Sequence, residues 1–373
     1  MSHRNAGSWP GGGQARETTA GRLRARLASD TAVAQTGRVI ASVVFRNFKA
    51  LRDARVALAP FNLLIGPNGS GKTSLIEAVL RLCALARLPL GIPPADGRHR
   101  ADGPEIEFNF TAPYDGLEAT LRCVSENVCD LLQVVPRAGA LREEDWTGLR
   151  SRLLRVRSYL LDHYAMAAPA MLANGTELAG NGGNLAAVLA ARARAQPAVF
   201  AQFRAEVTRV LPEYDDLRFA ERTDGTVELR VRLADGGEIV TAQNLSQGTL
   251  YTLAMLALAF DPAPPPVVCI EEIDRGIHPR LLREVRDALY RLSHPQATGL
   301  TRAPVQVIAT TQSPYLLDLF RDHPEEIIIA EKHGRAATFS RLSDRADLAE
   351  LLTEGSLGDM WFAGILGGVP EEK

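Results

Sequence analysis

The sequence lacks most of the features that tie a chain to a special environment. Only four cysteines occur among 373 residues, Cys83, Cys123, Cys129 and Cys269, and no two form a C-x-x-C pair. That spacing excludes the common zinc and dithiol motifs, and the expectation is four reduced, buried thiols in a cytoplasmic protein. Long hydrophobic runs are missing as well. The longest, Leu250 to Phe260, is about half of the ~20 residues a membrane-spanning helix needs. No apolar stretch follows Arg4 and Arg16, so no secretory signal is expected. Charge of one sign is also lacking: 42 Lys and Arg face 44 Asp and Glu, for a net charge of −2. This excludes action by general attraction to polyanions and leaves room only for a local basic stripe. No internal repeat and no sustained heptad register is present, which excludes a long coiled coil.

What is present is a 46 % hydrophobic chain, enough for a large core in two structural units or one elaborated domain. Residues 1–37 are rich in Gly, Arg, Ala, Ser and Thr without periodicity and read as a disordered leader. Strand patterns begin at Val39–Phe45, return in Ala54–Leu58, and a third, Phe61–Ile65, runs into a glycine-rich loop. Ser74–Arg87 has helical spacing, Leu88–Gly103 reads as a flexible loop, and Glu105–Thr111 and Leu117–Val124 alternate like antiparallel strands. Residues 136–215 read as a helical insertion. In 216–345, buried strands at Val267–Ile270 and Val305–Ala309 alternate with helices at Gln247–Phe260 and Arg280–Leu292, and 346–373 form a tail. Alternating buried strands and helices predict an α/β fold with a mainly parallel sheet, an antiparallel β subdomain and an inserted helical arm.

Four constellations carry chemistry. Gly66-Pro67-Asn68-Gly69-Ser70-Gly71-Lys72-Thr73 matches G-x-x-x-x-G-K-[ST], with a strand before it and a helix after it. Glycines let the backbone turn its N–H groups inward around phosphates, Lys72 reaches the β- and γ-phosphates, and Thr73 offers a hydroxyl to Mg²⁺. The helix start at Thr73–Ser74 adds positive potential. Next, the apolar run Val267–Ile270 ends in Glu271 and Glu272, which delivers two carboxylates to the crevice at a strand end. There Glu271 would hold Mg²⁺ through water and Glu272 would orient or deprotonate an attacking water. Two acids closing a strand also suit a solvated terminus. Asn244–Thr249 places Ser246 as an N-cap and Gly248 where backbone can approach closely, fit either for a γ-phosphate or for capping alone. Finally, Thr310-Thr311-Gln312-Ser313-Pro314 follows a buried strand, either facing a ligand or capping the next helix.

Taken together, these motifs resemble the ABC-type ATPase core, a P-loop NTPase, and more closely the RecF/SMC/OLD-like branch of AAA family ATPases. The opening Phe45-Arg46-Asn47-Phe48-Lys49-Ala50-Leu51, the continuation Glu271 to Pro279, the segment Gly180 to Ala186 and the tail Gly355 to Gly358 resemble compact RecF-like ATPases. The resemblance implies an ATPase core in two halves, 38–135 and 216–345, with Gly66 to Ser74 as Walker A and Ser246 to Thr249 as the signature. It implies ATP and Mg²⁺ as cofactors, Thr73 and Glu271 toward the metal, Glu272 as catalytic base and Gln312 in the switch position. It also implies a head-to-tail homodimer in which Ser246, Gln247 and Gly248 of one subunit close on the nucleotide held by Lys72 of the other, with Asp274 in the crossing loop. Two departures stand out: Glu271 replaces a usual Asp, and Gln312 replaces a usual His. Gln133 is a candidate for the Q-loop glutamine.

The resemblance points to control of a nucleic acid or a separately encoded nuclease-like effector, in DNA repair or antiphage defence, without a membrane partner. A slow-turnover ATP-dependent sensor is the alternative that Gln312 favours. A transporter's nucleotide-binding subunit is disfavoured by the Phe45–Leu51 opening and the insertion. Arg150, Arg152, Arg155 and Arg157 suit either a nucleic-acid backbone or a solvated helix face.

Overall fold

The structure, a computed structural model, describes residues 38–90, 99, 102–174 and 177–369. The proposed leader, most of the Leu88–Gly103 loop and the last four residues of the tail lie outside these.

The chain opens with strands β1 (Ile40–Phe48), β2 (Leu51–Ala57) and β3 (Phe61–Ile65), then helix α1 (Lys72–Leu85). Strands β4 (Glu105–Phe110), β5 (Leu117–Ser125) and β6 (Val128–Pro136) follow. Next come α2 (Glu143–Leu153), β7 (Arg157–Tyr159), α3 (His163–Ala167), β8 (Ala170–Met171), α4 (Leu185–Ala195) and α5 (Pro197–Val210). After β9 (Tyr214–Glu221), β10 (Thr226–Leu233) and β11 (Ile239–Thr241) stand α6 (Gln247–Ala259), β12 (Val267–Ile270) and α7 (Pro279–Ser293). The chain continues through β13 (Gln306–Thr310), α8 (Pro314–Asp318), β14 (Ile327–His333), β15 (Ala336–Arg341), α9 (Leu348–Glu354) and α10 (Leu357–Phe362).

A six-stranded sheet in the order β15-β14-β3-β13-β12-β7 forms the centre, and only β15 runs antiparallel to its neighbour. Its inner strands β3, β13 and β12 are buried at every position and read as nearly continuous apolar runs because both faces are covered. Alternation then sends successive side chains into two different cores. Val268 and Ile270 join one with Val307, Ala309, Leu63 and α6; Val267 and Cys269 join the other with Ile308, Leu64 and α1. Helix α6 is buried at every position from Thr249 to Ala259, which explains why its sequence is apolar all round. The fold class expected from the sequence is the one observed, with the antiparallel sheet β2-β1-β4-β5-β6 beside the central one.

Three expectations need correction. The segment read as helical is not purely so: Arg157–Tyr159 pairs in parallel with β12 and closes the central sheet, and β8 pairs with β10. Three residues are too short for periodicity to reveal a strand. Second, Cys123 and Cys129 are not free thiols; they face each other across β5 and β6 and form a disulfide. The expectation failed because six residues of separation look unremarkable until a hairpin folds them together. Cys83 and Cys269 are free and buried as expected, and burial pushes the Cys83 thiol up to about 12. Third, the arginine row is neither a solvated face nor a free basic stripe. Arg150 donates to the Ala86 and Arg87 carbonyls at the end of α1 at 2.7 and 3.0 Å. Arg155 donates to Pro264 O at 3.0 Å, and Arg157 pairs with Glu177 and donates to the Leu154 and Val156 carbonyls. Two of these arginines thus staple the insertion to the core.

One buried side chain joins the two large sheets. Gln306, fully buried at the start of β13, accepts from the Val39 and Ile40 amides at 3.1 and 3.0 Å and donates to Ile40 O at 2.8 Å and Ala59 O at 3.2 Å. Gln306→Leu leaves two buried N–H donors unpaired and is expected to cost about 3 kcal/mol in urea-denaturation stability; an unchanged midpoint would remove this tie from the account.

Candidate functional site

The strand ladder fixes which residues meet. Leu64 pairs with Thr310 and Ala309 with Ile270, so β13 lies between β3 and β12 and all three end at one edge. The loop after β3, the Thr310–Gln312 turn and Glu271–Glu272 are therefore neighbours. They line a cavity of about 300 Å³ together with Lys49 and Ala50.

The loop Gly66–Gly71 turns through glycines with positive φ, and at Gly66 no other residue fits. Its φ is 143°, and a Cβ there would stand 2.1 Å from the Ala330 carbonyl oxygen. Gly71, the N-cap of α1, offers no side chain to the helix, so the free N–H groups of the first turn face the cavity side of the loop. This is an arrangement suited to anions. Ser70 Oγ is buried with no hydrogen-bond partner among the described residues. Lys72 is buried and donates to Gly66 O at 2.6 Å and Pro67 O at 2.9 Å, so its own loop cradles the ammonium. Burial pulls Lys72 below the ordinary lysine range, and the Glu272 carboxylate opposes that shift.

Across the cavity, Thr73 Oγ1 donates to Glu271 Oε2 at 3.0 Å. A hydroxyl and a carboxylate side by side are hard oxygen donors of the kind Mg²⁺ takes in partnership with phosphates and waters, so these residues fit the ion. Glu272 has φ 52°, uncommon for a residue with a side chain and costing about 1–2 kcal/mol. Thr310 holds it there: its Oγ1 accepts from the Glu272 amide at 2.9 Å and its carbonyl from the Ile273 amide at 3.0 Å. Gln312 Nε2 donates to Asn68 Oδ1 at 3.3 Å, bridging the switch position to the loop.

Most sequence-predicted residues converge here: Asn68, Gly69, Gly71, Lys72, Thr73, Ser74, Glu271, Glu272 and Gln312 line the cavity. Others stand apart from it. Ser246 caps α6, accepting from Thr249 N at 3.1 Å, and Gly248 packs on the Gly276 carbonyl. Asp274 accepts from Thr311 Oγ1 at 2.6 Å, while Gln133 is bound by Arg122 at 2.8 Å on β6. None of these four lines the cavity. Sequence reasoning missed Lys49, which lines the cavity and is ion-paired with Glu77. Its positive φ of 53° at the β1–β2 turn was the property to look for, and no sequence pattern reports it.

Residues 39–95 match the family described as "AAA ATPase domain", and residues 184–318 match "AAA domain, putative AbiEii toxin, Type IV TA system". The chain is similar to the DNA replication and repair protein RecF of Erwinia tasmaniensis, 51 % identical over 41 residues, 11 % of either chain. RecF of Edwardsiella ictaluri is 54 % identical over 41 residues, 11 % of this chain and 12 % of that one. The aligned stretch thus spans only a small part of these relatives. In fold the chain resembles a crystal structure of the SmcHead bound to the C-winged helix domain of ScpA, with TM-score 0.54 and 13 % identity over 82 % of this chain and 99 % of that one. The comparisons thus show local similarity to AAA ATPase family models and to RecF, and a fold like that of an SMC head.

Lys72 is the only cation within the loop. Lys72→Ala is expected to abolish binding of labelled ATP while circular dichroism stays native; undiminished binding would overturn the assignment of this loop.

Proposed function

We propose that this chain binds ATP·Mg²⁺ in the cavity at the strand ends, hydrolyses it, and uses nucleotide-dependent dimerisation to control a nucleic acid or a partner effector. The observation that carries the reading is the convergence of Lys72, the Thr73–Glu271 pair and the strained Glu272 from the ends of two strands, β3 and β12, that β13 holds side by side. Lys72 would exchange its loop carbonyls for phosphate oxygens. Thr73 and Glu271 would hold Mg²⁺, which when bound offsets the charge on the β- and γ-phosphates. Glu272, held in position by Thr310, would accept the proton of the attacking water. Gln312 would donate its amide to the γ-phosphate.

A lone subunit leaves one side of the cavity open. Ser246, Gln247, Gly248 and Asp274 stand outside it, which favours their acting on a second subunit's nucleotide in a head-to-tail dimer. Ser246 and the N-terminus of α6 would then meet a γ-phosphate, and ATP would favour the closed dimer because only there does the triphosphate gain these donors. The name of the RecF-like relatives favours DNA replication and repair for that stretch. A slow-turnover sensor is the second reading, favoured by Gln312, whose neutral amide cannot carry a proton as an imidazole does. No helix among the described residues is long and apolar enough to cross a membrane.

Glu272→Gln is expected to keep ATP binding, to slow hydrolysis about 10²-fold or more, and to give a compact dimer with ATP·Mg²⁺ but not with ADP by small-angle X-ray scattering. Ser246→Arg is expected to block closure while sparing ATP binding. A Glu272→Gln chain that stays monomeric with trapped ATP would refute the dimer, and steady-state turnover of the unaltered chain separates the motor from the sensor.

A further inference from the structure

A second lysine reaches the phosphate loop from outside it. Strand β14 pairs in parallel with β3, Ile329 opposite Ile65, and then runs on beside the loop. Its Ala330 carbonyl lies against Gly66, and two residues later Lys332 stands beside the middle of the loop. A Cβ built on Gly69 would lie 3.6 Å from Lys332 Nζ, so the ammonium sits over a stretch of bare backbone. Lys332 also borders a second, larger cavity that shares Asn68 and Gln312 with the first, which puts it on the side where Gln312 bridges to the loop.

Lys72 and Lys49 line the first cavity and Lys332 borders the second, and their partners differ. Lys72 is bound to the Gly66 and Pro67 carbonyls and Lys49 is ion-paired with Glu77. Lys332 is exposed and has no ion pair among the described residues. Its neighbours on β14 do not neutralise it. Alternation along the strand puts Glu331 and His333 together, 3.9 Å apart, and Lys332 on the opposite face. The Glu331 carboxylate is packed against the Gly367 backbone near the end of the described chain. An ammonium with no carboxylate to hold it, on a long stem beside an anion-binding loop, is placed for an anion.

We propose that Lys332 is a phosphate-binding residue of this site, reaching the terminal phosphate of a nucleoside triphosphate across Gly69 and setting a preference for triphosphate over diphosphate. The inference rests on the reading that the cavity holds ATP. A diphosphate would lack the group that Lys332 would meet across Gly69. The cation would also supply, from within the same subunit, positive charge that the neutral Gln312 does not.

The test measures equilibrium affinities of the full chain for ATP and ADP with Mg²⁺ by calorimetry, in the unaltered protein, Lys332→Met and Lys332→Arg. The expected result for Lys332→Met is ATP binding weakened about fivefold with ADP binding changed less than about twofold. Lys332→Arg is expected to retain the preference, and raising salt to shrink the difference between the unaltered chain and Lys332→Met. Because Lys332 is exposed, the melting temperature without nucleotide is expected to be unchanged. Equal weakening of ATP and ADP, or no change in either, overturns the role of Lys332 and leaves the cavity assignment standing. An unaltered chain that binds no ATP, or a Lys72→Ala chain that binds it undiminished, overturns both.

Discussion

The site depends on one ladder of parallel backbone hydrogen bonds. It sets Leu64 beside Thr310 and Ala309 beside Ile270, and every group with chemistry to offer hangs one or a few residues beyond those pairs. The loop lysine, the Thr73 hydroxyl and the two carboxylates at the end of β12 come from positions almost two hundred residues apart, as the Thr73–Glu271 bond illustrates. No flexible element has to bring them together. The sheet does so by being buried on both faces, which leaves its strand ends as the only places where polar groups can leave it.

Burial on two sides also explains how strain is tolerated at Glu272. A left-handed residue with a side chain persists only where its surroundings over-determine it. Here the clamp is Thr310, which uses both its hydroxyl and its carbonyl on consecutive amides of the carboxylate turn. The same short stretch of β13 continues into Thr311, bound to Asp274, and Gln312, bound to Asn68. Strand β13 therefore contributes less by touching a ligand than by holding the turns on either side of it.

Much of this was legible in the sequence, because the informative signals are local. A glycine-rich loop between a strand and a helix, and acids closing an apolar run, need no knowledge of the rest of the fold. The buried runs that became β3, β12 and β13 were visible as well, as was the helical spacing of α1. What escaped is non-local. Strand β7 exists only because β12 offers it an edge, and β6, β9 and β15 alternate too weakly to be picked out. The Cys123–Cys129 bond depends on a hairpin register, and the arginine row found its acceptors on other elements. Lys49 and Lys332 are ordinary lysines in sequence; only their backbone paths bring them to the phosphate loop.

The guanidinium of Arg150 has a mechanical consequence. It bonds the two carbonyls just past α1, Ala86 and Arg87, behind the helix whose first turn borders the cavity, and it belongs to α2. Helix α1 has 14 residues and so spans about 21 Å as a rigid strut. Tilting its near end must either carry α2 along or break these two bonds, one of them part-buried. The strut therefore ties the loop end of α1 to α2: a displacement of one has to be shared by the other or break those two bonds.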